Sequence, residues 1–282
     1  MPALLVESLM RARHPAMVPV TDIATRETPM RVALRSWFVV VGFWWSATGV
    51  IFALERSSAT RTLGLVLASA LALWGGALVV LERDRDTPSG ARRAFLGAAF
   101  LWSWVQVAFY GAWIVGPAGR MVPVPAEAPS WELAVRAVAS MLWYQLTMLA
   151  VMGWAWRVTA ARANRMAWWT LTLFWLVHQV ASINIFLGVE NPGRGFFPEP
   201  LAYLESYFGP VRNSWLLPAS IAVLLTWTIG AVVQALRGPT PHRRQAMMLL
   251  SVIGALSVAE LAILGAPLTV PLWEAFLAIR GY

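Results

Sequence analysis

Seven long apolar runs constrain the fold of this chain more than any other feature. They cover residues 32–54, 62–81, 94–116, 133–156, 166–189, 214–236 and 247–266. A run of roughly 20 apolar residues is long enough to cross the hydrocarbon core of a bilayer as an α-helix. Because lipid offers no water to backbone N–H and C=O groups, such runs must satisfy those groups internally. The sequence therefore predicts an all-α, polytopic membrane bundle of about seven transmembrane helices.

Composition agrees with a membrane protein and excludes several kinds of chemistry. Of 282 residues, 59% are hydrophobic and 13% are charged, and the mean hydropathy is +0.61. The chain has no cysteine, which excludes thiolate catalysis and iron–sulfur ligation. Every basic residue apart from histidine is arginine, so Schiff-base chemistry on lysine is excluded. No HExxH, Walker or GxSxG motif is present, and we expect no enzymatic activity.

The distribution of arginine predicts the orientation of the bundle. Fifteen of the 22 arginines lie in the N-terminal tail and in alternate connections, six lie on the opposite side and one lies in a span. Arginine is enriched in cytoplasmic loops. We therefore expect a cytoplasmic N-terminus and a periplasmic C-terminus in a bacterial inner membrane, either cytoplasmic or intracytoplasmic. The formal charge of +8 follows this pattern and indicates no nucleic-acid partner.

These patterns divide the chain into three parts. Residues 1–31 are predicted to form a polar cytoplasmic tail without a cleaved signal peptide. Residues 32–267 form the membrane domain, with a structured outer loop at 190–213, and residues 268–282 form a short periplasmic or interfacial tail. Within the second span, Ala68, Ala72 and Gly76 form a stripe of small residues that predicts close helix packing.

His178 is the polar residue placed closest to the middle of a span. At 1.5 Å per residue it lies about 18 Å from the start of the fifth run. A neutral histidine there can bond to a neighbouring helix, relay protons, or act as an axial ligand to a chlorin magnesium or haem iron. The 17 tryptophans leave a similar choice, because they suit either lipid-facing and interhelical packing or stacking on a planar ligand.

Arg136 and Glu260 are ionisable residues inside predicted spans. If the fourth and seventh helices touch, the two side chains can neutralise each other, which lowers the cost of each in lipid. An ion or proton path is the alternative. A third charged segment, "ERDRDTPSGARR" at 82–93, alternates acidic and basic residues; we expect a hydrated loop there rather than a site for a divalent cation.

The connection after the fifth span contains an amphipathic segment. The stretch "ENPGRGFFPEP" supplies turn residues. From Pro198 a short helix is predicted, because proline suits the first helical turn and Glu199 suits the positive end of the helix dipole. Its apolar side chains fall on one face, so it can lie in the membrane interface, cover the bundle as a lid, or form a docking surface.

This region also resembles a known family. The stretch "HQVASINIFLGVENPGRGFFPEPLAYLESYF" at 178–208, followed by "RNSWLLPASI", is similar to the signature of the PuhE family of photosynthetic complex assembly proteins from purple and related bacteria. The resemblance extends over about 43 residues. The matching residues are His178, Ala181, Asn184, Gly188, Asn191, Pro198, Glu199, Leu201, Tyr203, Tyr207, Asn213, Pro218 and Ser220.

The resemblance implies a protein encoded with the reaction-centre H subunit and needed for assembly of the reaction centre and its light-harvesting antenna. It implies no catalytic reaction. His178, Asn184 and the outer helix then become candidates for contact with bacteriochlorophyll or with a nascent subunit. Three positions depart from the family pattern: Ser182 replaces a lysine, Pro200 replaces a histidine and Glu190 replaces a proline.

From these features we expect a non-enzymatic membrane assembly factor that docks reaction-centre and light-harvesting subunits helix to helix. His178 is the candidate ligand for a bacteriochlorophyll. The alternatives are a transporter or membrane enzyme for a pigment precursor or lipid, and a stable structural subunit of the photosystem. A polar cavity joining His178, Glu260 and Arg136 would favour the transporter or enzyme.

Overall fold

The computed structural model describes residues 28–54, 57–116, 130–195 and 197–267. This part of the chain is helical, without strands. Residues 1–27 of the predicted tail 1–31 and the predicted tail 268–282 lie outside it, and the end of the first tail, from Pro29, is already helical. The α-helices are α1 (Pro29–Leu54), α2 (Ser58–Glu82), α3 (Pro88–Tyr110), α4 (Trp131–Ser140), α5 (Leu142–Thr159), α6 (Met166–Leu187), α7 (Leu216–Arg237) and α8 (Pro241–Gly265), and a 3-10 helix spans Glu199–Tyr207.

The all-helical membrane architecture is confirmed, with five or six spans by length and composition. Helices α1, α2, α6, α7 and α8 are each long and apolar enough to cross a membrane, and the pair α4 and α5 qualifies together as one broken span. We call the end of the bundle that carries the 3-10 helix the 3-10 end, and the opposite end the arginine end. Helix α3 has 23 residues but does not meet the same standard of apolarity.

Helix α3 is the central element of the bundle, which explains its modest hydropathy. Its buried residues include Ala91, Ala94, Ala98 and Ala99, and it packs on α1, α2, α6 and α8. Because protein rather than lipid covers much of its surface, it can carry small residues, and polar ones such as Gln106, in place of long aliphatic side chains. The pattern of small residues on α2 was predicted correctly as packing, since Ala68 is buried.

The tightest contact between α2 and α3 lies one residue away from the predicted stripe. A Cβ atom on Gly75 would come within 2.6 Å of the Gly97 carbonyl oxygen, so only glycine permits this approach of the two backbones. Gly76 instead faces Trp154 at an ordinary contact distance.

The fourth predicted span is not one straight helix. Helices α4 and α5 meet at Met141 with a bend of 65°. The Ser140 carbonyl accepts a hydrogen bond from the backbone N–H of Gly116 at 2.7 Å. The segment after α3 thus occupies the bend, a local interruption that apolar periodicity does not reveal. The same segment ends the third predicted span early, because α3 stops at Tyr110 rather than at residue 116.

The segment 82–93 is more ordered than the predicted hydrated loop. Glu82 is only 3% exposed and pairs with Arg85 at 3.3 Å and Arg93 at 3.2 Å. The backbone N–H of Asn164 donates to the Arg83 carbonyl at 2.8 Å. This pairing joins the α2–α3 and α5–α6 connections at the arginine end. No group of three or more potential metal ligands is found among the described residues.

Candidate functional site

A large cavity opens at the 3-10 end between α1, α3, α6, α8 and the loop after α6. It has a volume of about 930 Å³. A smaller cavity of about 260 Å³ lies beside it, next to the 3-10 helix. The two share five lining residues, namely Tyr110, His178, Pro192, Gly193 and Glu260. Two of the polar residues predicted inside the spans, His178 and Glu260, therefore lie at the junction of the two cavities.

His178 lies between the cavities and the packed interior. Its ring centroid is 5.2 Å from that of Tyr144 on α5. The Nε2 atom is buried and has no hydrogen-bond partner, and the Tyr144 hydroxyl is likewise buried, beside Gln106 of α3. Such groups are costly in a membrane interior unless a partner reaches them. Because Nε2 is buried, the ring must turn before this nitrogen can ligate a chlorin in the large cavity, and pigment ligation stays a prediction.

A hydrogen-bonded chain beside His178 was not anticipated from the sequence. The Trp175 indole N–H donates to Gln145 Oε1, and Gln145 Nε2 donates to Gln179 Oε1, each at 3.0 Å. The chain joins α5 to α6 just beyond the bend. The sequence signal for this chain was the presence of glutamines inside two apolar runs, because polar side chains in a membrane form hydrogen bonds between helices.

The predicted pair of Arg136 and Glu260 does not form. Arg136 donates instead to Glu132, one turn earlier on α4, at 2.7 Å. Residues of α4 and the bend, Ala137 and Ser140, line the small cavity together with Glu260, but Arg136 is not among the lining residues. The bend at Met141 tilts α4 away from the line of α5, so a straight-helix projection misplaces Arg136. No arginine lies within ion-pair distance of Glu260 in the described ranges.

Two asparagines of the motif hold the end of α8. The Asn191 side-chain N–H groups donate to the carbonyls of Ile263 and Ala266, and its backbone N–H donates to Leu264 O at 2.9 Å. Asn213 Nδ2 donates to Gly265 O at 2.7 Å. The last carbonyls of a helix have no partner within it. These asparagines supply the missing donors and fix the loop across the mouth of the large cavity.

The third asparagine of the motif, Asn184, joins α6 to α7. It is fully buried and donates to Ser220 Oγ at 3.0 Å and to the Val180 carbonyl at 2.8 Å. Pro218 lies in the first turn of α7, where a missing N–H costs little. The asparagines that the resemblance marked as contact candidates therefore have intramolecular bonds that organise this end of the bundle.

Gly188 ends α6 in a conformation that favours glycine. Its φ is +119°, and an added Cβ would lie 2.7 Å from the Pro210 carbonyl oxygen and 2.8 Å from that of Arg212. Its own carbonyl accepts from the Ser214 N–H at 3.0 Å. The loop thus turns back here, which returns the chain to the start of α7.

The segment predicted as a short amphipathic helix is a 3-10 helix packed into the bundle. It begins after Pro198, with Glu199 in its first turn. Leu201 and Leu204 are buried against Val105, Phe109 and Tyr144. Of the three arrangements considered, this contact corresponds to a lid over the helices.

Two tyrosines of this helix occupy different places. The Tyr203 hydroxyl donates to the Ser140 carbonyl at the α4–α5 bend, at 3.4 Å. Burial, with a smaller effect of Tyr207, raises the pKa of Tyr203. Tyr207 lines the small cavity. The helix therefore rests on the bend with one side and borders the small cavity with the other.

Aromatic rings form the wall of the large cavity opposite the loop. Trp44 of α1 stacks on Trp102 of α3 with ring centroids 5.8 Å apart, and Trp102 lies 5.1 Å from Phe174 of α6. Trp45 also lines the cavity and is 76% exposed. Some of the deep tryptophans thus pack between helices, and some present a surface to the cavity.

Comparison with known proteins gives a family and one curated relative. The family described as "Protein of unknown function (DUF3623)" matches residues 30–280. An uncharacterized 30.4 kDa protein in the puhA 5′ region of Rhodobacter capsulatus is 29% identical over 237 residues, which cover 82% of this chain and 84% of that protein. No solved structure matches. Because the family match covers nearly all of the membrane domain and the cavity-lining residues described above, the chain belongs to the DUF3623 family.

Proposed function

We propose that this protein is a non-enzymatic assembly factor for the photosynthetic reaction centre and its light-harvesting antenna. The observation that carries the proposal is the relative in the puhA 5′ region, which shares 29% identity over most of both chains. The PuhE-like signature at 178–220 points in the same direction. We place the protein in a bacterial inner membrane, where such complexes reside.

We further propose seven spans, with the N-terminus in the cytoplasm. The contact of Asn164 with Arg83 supports this count, because it joins the connection before α3 to the connection after α5. The chain between these two connections must then leave the arginine end and return to it. Helix α3 makes the first passage and the α4–α5 pair makes the second. The enrichment of arginine at this end supports a cytoplasmic location.

Docking of client helices is the proposed mechanism. Helices α1, α2 and α7 bury only 17%, 22% and 17% of their membrane windows inside the bundle. Large apolar side chains such as Leu73 and Val223 are more than 70% exposed. These faces meet lipid in the isolated protein, and van der Waals packing with a client helix can replace lipid there.

The test is purification of an affinity-tagged protein from a phototrophic host in mild detergent. We expect reaction-centre or light-harvesting polypeptides to co-purify in less than equimolar amount. Equimolar recovery of this chain in the mature complex would instead identify a structural subunit. A tagged unrelated inner-membrane protein from the same host controls for adhesion of abundant antenna subunits.

Deletion of the gene provides an independent test. The near-infrared absorption bands of the reaction centre and antenna should fall in the deletion strain and recover with the wild-type gene. Normal bands in the deletion strain, together with a purified protein free of photosynthetic subunits, would contradict the assembly role.

A transporter or membrane enzyme for a small molecule is the second candidate. The observation in its favour is that His178 and Glu260 share a cavity of about 930 Å³. A transporter or enzyme was expected to have a polar cavity joining His178, Glu260 and Arg136. The first two line the cavity, and Arg136 does not. Pigment ligation by His178 is tested by His178→Leu: bacteriochlorophyll that co-purifies with the wild type should be lost while the variant remains folded.

A further inference from the structure

The large cavity contains a carboxylate without a cationic partner among the described residues. Glu260 lies inside α8, about 8 Å along the helix axis from its last residue at a rise of 1.5 Å per residue. Its side chain is exposed and lines both cavities. An ionisable residue inside a span is rare, and it is retained where a partner or a ligand compensates its charge.

Two hydroxyl groups of the cavity wall can accept hydrogen bonds from a ligand. The hydroxyls of Thr48 and Ser257 already donate to the carbonyls of Trp44 and Ile253, at 2.8 and 2.9 Å. Their free lone pairs can therefore only accept from a ligand that enters. Gln106 also lines the cavity, but its side chain is only 4% exposed and its Oε1 is buried, so it is not open to a ligand. A ligand amine can therefore donate to these two hydroxyls as well as to Glu260.

The apolar part of the wall is built from aromatic rings. Trp44 stacks on Trp102, Phe174 lies tilted beside both, and Tyr110 also lines the cavity. The faces of such rings carry negative charge density and attract organic cations. The same rings bury the hydrophobic body of a ligand.

The charged residues at the mouth of the large cavity do not neutralise Glu260. Arg194 lines the large cavity near the loop, and its guanidinium lies over the Phe208 ring at 5.6 Å. Glu190, also at the mouth, carries the opposite charge. His178 and Tyr110 are the further titratable side chains that line both cavities. The mouth therefore carries one charge of each sign, and the deeper carboxylate is a single group, Glu260.

We propose that the large cavity binds a lipophilic amine in its protonated form, with the ammonium on Glu260 and the hydrophobic body against the rings of Trp44, Trp102 and Phe174. The site is independent of the assembly role and requires no client subunit. The carboxylate selects a charged donor, and the rings select a ligand with an apolar body.

The test is a pair of matched probes, naphthylethylamine and naphthylethanol, titrated into the purified full-length protein in a nonionic maltoside detergent. Quenching of tryptophan fluorescence, with empty micelles subtracted, reports binding. The amine should bind on the order of tenfold more tightly than the alcohol, since a charge-assisted hydrogen bond is about twice as strong as a neutral one. Equal affinities of the two probes would overturn the proposal.

Variants locate the charge that is recognised. Glu260→Gln keeps the size of the side chain and should reduce the amine affinity to that of the alcohol, whose own affinity should not change. Glu132→Gln, on a carboxylate paired with Arg136 away from both cavities, is the matched control and should bind the amine normally. Unchanged amine binding by Glu260→Gln would refute the assignment. If Glu260→Gln does not fold, the proposal is tested instead by the amine and alcohol affinities of Glu260→Asp and of the wild type.

A competition experiment distinguishes two sources of the amine. Short-chain phosphatidylethanolamine added to the micelles should fail to displace naphthylethylamine if the natural ligand is a free lipophilic amine. Displacement at similar concentrations would assign the same carboxylate site to a lipid headgroup.

Discussion

Single asparagines carry much of the order at the 3-10 end. Asn191 supplies donors to carbonyls that α8 cannot satisfy within its own last turn. Without these donors, carbonyl groups at the end of α8, at the edge of the large cavity, would have no hydrogen-bond partner. The residue that the family signature marks is thus a helix cap, and its effect on any ligand is indirect.

We expect Asn191→Ala to lower the free energy of unfolding by about 1–3 kcal/mol, the usual cost of leaving buried polar groups without a partner. Asn191→Asp should be worse, because it also places a negative charge at the negative end of the helix dipole. The midpoint of thermal unfolding in detergent, followed by circular dichroism, measures both. An aspartate variant as stable as the wild type would rule out the capping role.

Gly188 gives a second prediction at the same scale. Gly188→Ala forces a side chain into a φ of +119° and against two carbonyl oxygens. We expect a loss of about 1–3 kcal/mol from backbone strain. Gly230→Ala in α7 is the matched control, because nothing lies within 4 Å of the place that its new Cβ would take. That variant should be neutral or slightly stabilising, and equal effects of the two would contradict this account.

At the scale of elements, the 3-10 helix and the α4–α5 bend form one structural unit. Leu201 is fully buried between α3 and α5. The Tyr203 hydroxyl and the Gly116 N–H both donate to the carbonyl at the bend. The lid therefore depends on packing that only the bent arrangement offers.

Leu201→Ala should destabilise the protein by about 2–5 kcal/mol, because it leaves a cavity in a packed cluster. Leu73→Ala is the same change on a residue that is 78% exposed, and it should stay within about 0.5 kcal/mol of the wild type. Thermal unfolding and the rate of proteolysis in the 190–213 loop measure the difference. If both variants behave alike, the lid is not part of the stable core.

The elements were predictable from the sequence to the extent that lipid dictates them. Long apolar runs located seven helical stretches, because each must satisfy its own backbone. The bend at Met141 escaped prediction, since it arises from a carbonyl bonded to a distant segment. The helix type of residues 199–207 also depends on what it packs against rather than on its own periodicity.

The candidate site was predictable only in part. His178 and Glu260 were recognisable as polar residues in apolar runs, and the structure places both on the same cavities. The predicted partner of Arg136 was wrong, because the apolar pattern does not reveal the bend at Met141 that tilts α4 away from the line of α5. Gln106 and the Gln145–Gln179 pair were missed, although they are the same kind of signal.

At the scale of the whole molecule, the absence of cysteine permits a direct test of topology. Single-cysteine variants Asp86→Cys, Ala163→Cys and Arg212→Cys place a thiol in three exposed connections. With seven spans and a cytoplasmic N-terminus, a membrane-impermeant maleimide added to intact spheroplasts should label only Arg212→Cys.

Inverted vesicles should give the opposite result, with labelling of Asp86→Cys and Ala163→Cys. The cysteine-free wild type is the control for background. Labelling of Asp86→Cys and Ala163→Cys from opposite sides would show that α3 and the α4–α5 pair do not both cross, and the seven-span arrangement would then fail.

The central position of α3 has a consequence for how the protein is made. A helix too weakly apolar to partition from the translocon by itself needs a neighbour that offers a better surface than lipid. Helix α2 precedes it, is strongly apolar and meets it where Gly75 approaches Gly97. Helix α3 should therefore leave the translocon together with α2 as a hairpin, and its integration depends on sequence already synthesised rather than on its own hydropathy.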